Sequence, residues 1–78
     1  MKTVKVSLNS IDKVKSFVND INRFDYDFDL TSGRYVIDAK SIMGIFSLDL
    51  SKAIDLNIHA DSDQIDEVLK VIKPYIVE

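Results

Sequence analysis

Residues 25–39 read DYDFDLTSGRYVIDA, and the fold turns on that stretch. Tyr26, Phe28 and Leu30 alternate with Asp25, Asp27 and Asp29, so one face is apolar and the other carries carboxylates. A period of two marks a half-buried strand over 25–30 rather than a helix. TSGR then turns the chain, because Gly33 can take a positive φ that Arg34 would resist. RYVIDA runs back as a second strand, which makes residues 25–39 a hairpin. Strands with one apolar and one polar face imply an antiparallel-rich sheet, wet on one side and covered on the other.

Residues on either side supply the rest of that sheet and its cover. KTVKVSL, residues 2–8, alternates with Val4, Val6 and Leu8 on one face. Asn9 and Ser10 can cap a helix, and Ile11, Val14, Phe17, Val18, Ile21 and Phe24 then recur at three- and four-residue steps to about Asn22. After the hairpin, KSIMGIFSLDL (residues 40–50) predicts a short helix from about Ser41 to Leu48 or Leu50. AIDLNIHA, residues 53–60, is a fourth strand with Ile54, Leu56 and Ile58 facing inward. Asp61 or Ser62 caps a last helix whose stripe is Ile65, Val68, Leu69, Ile72 and Ile76, and Pro74 disturbs or ends it. The order is β-α-β-β-α-β-α, an α+β arrangement in which residues 1–78 are expected to form a single domain.

Composition narrows the function. The 78 residues are 46% hydrophobic and 29% charged, enough for a core and a soluble surface. Without cysteine there is no disulfide framework, thiolate metal site or thiol nucleophile. A net charge of −3 argues against general nucleic-acid binding, which needs a basic surface. No apolar run approaches a membrane span, and the first ten residues lack the apolar core of a secretory signal, so a cytoplasmic protein is expected.

Several constellations invite chemistry and carry little of it. Asp25, Asp27 and Asp29 resemble the opening of a calcium loop, but the sixth and twelfth places hold Leu30 and Val36 instead of Gly and Glu. The aspartates read as a solvated strand face, and no metal is expected. His59, the single histidine, shares the outer face with Asp55 and Asn57, and nothing nearby in sequence assists it. Ser7, Ser10, Ser47, Ser51 and Ser62 have no nucleophile context. With Gly33 and Gly44 the only glycines, no dinucleotide or P-loop cradle is possible, and no cofactor is expected.

Residues 40–50 are the exception. Ile42, Met43, Ile45, Phe46, Leu48 and Leu50 occupy more than one face of a short helix, while a small protein has one core to offer. Ser41 stands where that helix begins. An ordinary N-cap accounts for it, worth about 1 kcal/mol. A phosphorylation site also fits, since a phosphate there meets free N–H groups and the positive helix end. It would set about −2 of charge beside Ile42, Met43 and Phe46.

AKSIMGIFSLDL, residues 39–50, resembles the regulatory-serine segment of HPr, the small histidine-containing phosphocarrier of the bacterial sugar phosphotransferase system. The family string A/L-K-S-I-M-G-x-x-S-L is matched at Lys40, Ser41, Ile42, Met43, Gly44, Ser47 and Leu48. The likeness runs over nearly the whole chain and implies an open-faced β-sandwich of four antiparallel strands under three helices. It also implies that Ser41 is the residue phosphorylated by the ATP-dependent HPr kinase. Lys40, Ile42, Met43 and Phe46 would form the surface that meets HPr kinase/phosphorylase, phosphotransferase enzymes or a catabolite-control transcription factor.

The departures from the family shape the function. Family members carry the phosphoacceptor in G-L-H-A-R-P-A after the first strand. Anchored on FVNDINRF, this chain has Ser10 at the histidine position, Asp12 at the arginine position and Lys13 at the proline position, and residues 1–58 hold no histidine. A seryl phosphate ester is a poor relay, and Asp in place of Arg inverts the charge that steadies a phosphoryl group. Ala53 also stands where the family often has Gly. The expectation is therefore a regulatory or adaptor module, not an enzyme, switched at Ser41, with protein partners and neither nucleic acid nor membrane. Two alternatives stay open: an interaction domain in which Ser41 is only a cap, and a divergent phosphocarrier using Ser10 or His59.

Overall fold

The structure is a computed structural model that describes residues 1–77. Its elements are β1 (Lys2–Val6), α1 (Ile11–Ile21), β2 (Asp27–Ser32), β3 (Tyr35–Asp38), α2 (Ile42–Phe46), β4 (Ile54–His59) and α3 (Ser62–Ile72). A 3-10 turn over Lys73–Tyr75 follows α3. The strands form one antiparallel sheet in the order β1-β4-β2-β3, so β4 and β2 are central and β1 and β3 are edges.

The two-residue alternation has the expected result. Val6, Phe28, Leu30, Ile54, Leu56 and Ile58 point to the covered face and are buried. Val14, Phe17, Val18 and Ile21 of α1, Ile45 of α2, and Val68 and Ile72 of α3 close over them. Each such aliphatic or aromatic side chain contributes about 1.5–3 kcal/mol by leaving water. On the open face, Lys5 Nζ meets Asp55 Oδ1 at 3.1 Å, Thr3 Oγ1 donates to Asn57 Oδ1 at 2.7 Å, and Asn57 Nδ2 donates to Thr31 Oγ1 at 2.8 Å. Gly33 takes φ +59 at the first of the two turn residues, the only positive φ among the described residues. A Gly in that place lets the hairpin close without splaying its strands.

Element ends follow local hydrogen bonding. Ser10 caps α1, its Oγ accepting from Lys13 N at 3.1 Å. Asp61 rather than Ser62 caps α3, and Gln64 Oε1 reaches back to accept from Asp61 N at 3.1 Å. Pro74 lies in the 3-10 turn that ends α3, so Ile76 is not part of the helical stripe. Ile76 instead bridges to Val6, with Ser7 N donating to Tyr75 O at 2.8 Å and Val77 N to Lys5 O at 2.9 Å.

Two more expectations need correction. Ile11 is 62% exposed rather than part of the buried stripe. It is the first residue of α1, and side chains tilt toward a helix N-terminus, so it reaches past the core that Val14 covers. The middle helix is five residues long instead of running to Leu48 or Leu50. Ser47 N and Leu48 N bond three residues back, to Gly44 O at 3.1 Å and Ile45 O at 3.0 Å, and Ser47 Oγ also donates to Gly44 O at 2.5 Å. That tightening ends the α-helical ladder, and Leu48 and Leu50 pack on the core from the loop.

Candidate functional site

The apolar run of residues 42–50 divides cleanly. Ile45 is fully buried, and Leu48 and Leu50 are half-buried against the core. Ile42, Met43 and Phe46 face solvent at 37%, 81% and 39% exposure. One turn of helix thus anchors itself through Ile45 and presents three large apolar side chains outward. Phe46 and Ile11 line one cleft of about 570 Å³ with Asn9, Ser10, Leu50 and Ser51, so the outward apolar surface continues from α2 onto the start of α1. Ile11 is the site neighbour that periodicity concealed by assigning it to the core.

Ser41 is the N-cap of α2. Its Oγ accepts from Gly44 N at 3.2 Å, its carbonyl accepts from Ile45 N at 3.0 Å, and its own amide donates to Asp38 O at 3.0 Å. The residue is half-buried. A helix of five residues has a weak macrodipole, so the dipole component of the expected phosphate site shrinks. Gly44 explains itself here: a Cβ at that position would lie 3.2 Å from Ser41 Oγ and 3.4 Å from Ile37 Cδ1. Glycine keeps room beside the hydroxyl and lets α2 sit close to β3.

Lys40 is committed internally. Its Nζ donates to Phe24 O at 2.6 Å and lies 5.5 Å from the Phe28 ring centroid. With its own amide on Asp38 Oδ1 at 2.9 Å, it braces the start of α2 against the end of α1 and the sheet. The expectation of Lys40 as a docking residue therefore meets an ammonium already tied into the fold. Sequence could not foresee this, because its partners lie 16 and 12 residues away in chain order.

Ser10 and Asp12 stand at the start of α1, both exposed, with Ser10 Oγ occupied as the cap. His59 lies on the open face of the sheet, at the end of β4. It is not without assistance, as the sequence suggested: Nε2 is 2.7 Å from Asp29 Oδ2 on β2. Asn57 Nδ2 donates to Asp29 Oδ1 at 2.5 Å. Burial pushes the Asp29 carboxyl up, but the bonds from Asn57 and His59 and the imidazole's charge outweigh it and hold it below the ordinary value of 3.8. Cross-strand register creates this pair, so α2 and the single imidazole occupy opposite faces of the sheet. Among the described residues, no group of three or more His, Cys, Asp or Glu is placed to hold a metal ion. No described helix is long and apolar enough to cross a membrane.

Comparison with known proteins agrees with this geometry. The family profile described as the PTS HPr component phosphorylation site matches residues 13–78, so Ser10 and Asp12 fall outside the matched range. The HPr-like protein Crh of Bacillus subtilis (strain 168) is 34% identical over 62 residues, covering 80% of this chain and 73% of Crh. Among solved structures, HPr-C-His of Thermoanaerobacter tengcongensis superposes with a TM-score of 0.76 at 25% identity, covering 95% of this chain and 89% of that one. The phosphocarrier protein HPr of Bacillus anthracis str. Ames gives 0.70 at 29% identity, with 97% and 94% covered. The crystal structure of Bacillus subtilis Crh, described as a dimer with a swapped domain, shares the fold at a TM-score of 0.63 and 24% identity, with 96% and 90% covered. Members of this group are phosphocarriers and regulators rather than catalysts. A four-stranded antiparallel sheet under three helices, the serine-led α2 and these matches lead to one conclusion: the chain belongs to the HPr family of the phosphotransferase system.

Proposed function

We propose that this protein is a regulatory adaptor of the phosphotransferase system or of carbon catabolite control, switched by phosphorylation of Ser41. It acts as one cytoplasmic domain. Ile42, Met43 and Phe46 dock the partner, Ile11 extends their surface, and Lys40 holds α2 in place. The partners are HPr kinase/phosphorylase, phosphotransferase enzymes or a catabolite-control transcription factor. The observation that carries this reading is the outward apolar triad beside Ser41, with Met43 at 81% exposure, on a helix whose Ile45 is fully buried. Apolar side chains of this size dominate docking energies when a partner covers them. A phosphate of about −2 charge beside them repels an acidic partner and recruits an arginine-bearing one.

The phosphocarrier role is not part of this reading. Ser10 Oγ caps α1 at 3.1 Å from Lys13 N, and the imidazole sits across the sheet in a pair with Asp29. The experiment is incubation of the protein with HPr kinase and ATP beside a genuine HPr. The expected result is one phosphate, mapped to Ser41 and absent from Ser41→Ala. No label, with HPr labelled in the same tube, refutes the switch. Acid-labile phosphate on His59 after incubation with phosphoenolpyruvate and the general phosphotransferase enzyme refutes the adaptor reading.

A second reading has its own support. Ser41 is half-buried and its hydroxyl already serves Gly44 N at 3.2 Å, which is what a plain cap requires. In that case the triad docks a partner without modification. Partner affinity indifferent to Ser41→Asp, alongside unlabelled Ser41, selects it.

A further inference from the structure

The side of the molecule formed by β1 and α3 carries a feature the Ser41 surface does not use. β1 ends the strand order, so among the described residues one edge borders no strand in the sheet. Lys5 O and Ser7 N turn to that edge, where Val77 N and Tyr75 O meet them. By the two-residue repeat, Thr3 turns its main-chain amide and carbonyl the same way, beyond the reach of the Ser7–Tyr75 and Lys5–Val77 bonds. Beside this stretch lies a groove of about 700 Å³ lined by Lys2, Val4, Leu69, Lys70, Lys73 and Ile76. Val4, Leu69 and Ile76 are half-buried and form an apolar floor. Three exposed lysines rim it, and no carboxylate of the described residues lines it, in a chain whose net charge is −3.

We infer that this groove receives an extended acidic segment of a partner protein, added along the edge of β1. In such an addition, alternate side chains of the incoming strand face the helical side. One apolar side chain rests on Val4, Leu69 and Ile76, and carboxylates two residues to either side meet Lys2, Lys70 and Lys73. The lysines select acidic partners and speed encounter, while the apolar floor holds the segment. An anionic membrane is the poorer match, because the basic rim encloses a concavity and the rest of the surface is acidic. Membrane headgroups also offer nothing in register with Thr3's amide and carbonyl. The groove involves no residue of α2, so both surfaces can be occupied together.

Titrating isotope-labelled protein with the nine-residue peptide Thr-Thr-Asp-Thr-Val-Thr-Asp-Thr-Thr, which sets one valine between two aspartates on a single strand face, followed by amide chemical shifts, tests this. The expected shifts saturate, centre on Lys2–Val4 and Leu69–Val77, and weaken with added salt. The exposed double variant Lys70→Glu/Lys73→Glu should weaken binding at least about tenfold with the remaining shifts unmoved, while Met43→Ala leaves it unchanged. The inference is overturned by absent or non-saturating shifts at Lys2–Val4, or by an equal response to the same peptide with lysine for aspartate. Binding unaffected by the double variant also overturns it. So does association with phosphatidylglycerol vesicles without response to the acidic peptide, which would make the surface a membrane contact.

Discussion

Replacing Ser41 separates its structural from its proposed regulatory work. In the folded protein its hydroxyl accepts one bond, from Gly44 N at 3.2 Å, at the long end of the usual range. Alanine leaves that amide without its acceptor in a half-buried position, and losing such a cap costs about 1 kcal/mol. Because Ile45 ties α2 to the core, the loss should be felt globally, lowering the melting temperature by about 4–8 °C for a chain of this size. Locally, exchange of the Gly44 amide should quicken about fivefold, as 1 kcal/mol dictates. Ser41→Asp keeps a capping oxygen and should stay within about 0.5 kcal/mol of the parent. Calorimetric melting of the three proteins, with hydrogen exchange read at Gly44, provides the assay. If aspartate destabilises as much as alanine, or alanine costs nothing, the capping account of Ser41 is wrong.

Three further outcomes are expected. Gly44→Ala places a methyl 3.2 Å from Ser41 Oγ, so a helix-propensity gain of up to about 1 kcal/mol is offset by crowding. Stability should barely change while kinase labelling of Ser41 slows, and unchanged labelling would contradict the role given to this glycine. Lys40→Met removes the bond to Phe24 O and the charge over Phe28 while keeping the aliphatic stem, at about 1.5 kcal/mol in urea unfolding. Partner affinity should hold, and a variant of full stability with lost affinity would restore Lys40 to the docking surface. Asp29 titrates below 3.8 when folded, so its contribution is present above the unfolded value and lost as pH falls through the folded one. Stability of the parent should therefore fall more steeply than that of Asp29→Asn below about pH 4, and parallel acid profiles would refute the network's effect.

Local periodicity carried most of the architecture. The alternation in DYDFDL and AIDLNIHA identified β2 and β4 and the inward Phe28, Leu30, Ile54, Leu56 and Ile58, although β2 runs Asp27–Ser32 rather than 25–30, and the spacing of Val14, Phe17, Val18 and Ile21 identified α1. The TSGR turn was legible because its glycine takes at little cost the positive φ that Ser32 or Arg34 would resist. What escaped depends on partners distant in the chain. Tyr75 gave no periodic signal, yet it is buried edge-on against Phe17, 5.4 Å between centroids, with its hydroxyl on Asp20 Oδ2 at 2.8 Å. The His59–Asp29 pair and the Lys40 tie arise from strand register and helix placement, which no local pattern encodes. The outward triad was legible only as a surplus: six apolar residues in eleven exceed what one helix face can bury, and the structure shows which three remain outside.

The switch at Ser41 is read out by titration calorimetry of a catabolite-control transcription factor with the protein, before and after phosphorylation of that serine. Dissociation constants should differ by at least about tenfold, or 1.4 kcal/mol, between the two forms, with Met43→Ala weakening whichever form binds. Equal affinities within about twofold, or binding indifferent to Met43→Ala, would contradict it.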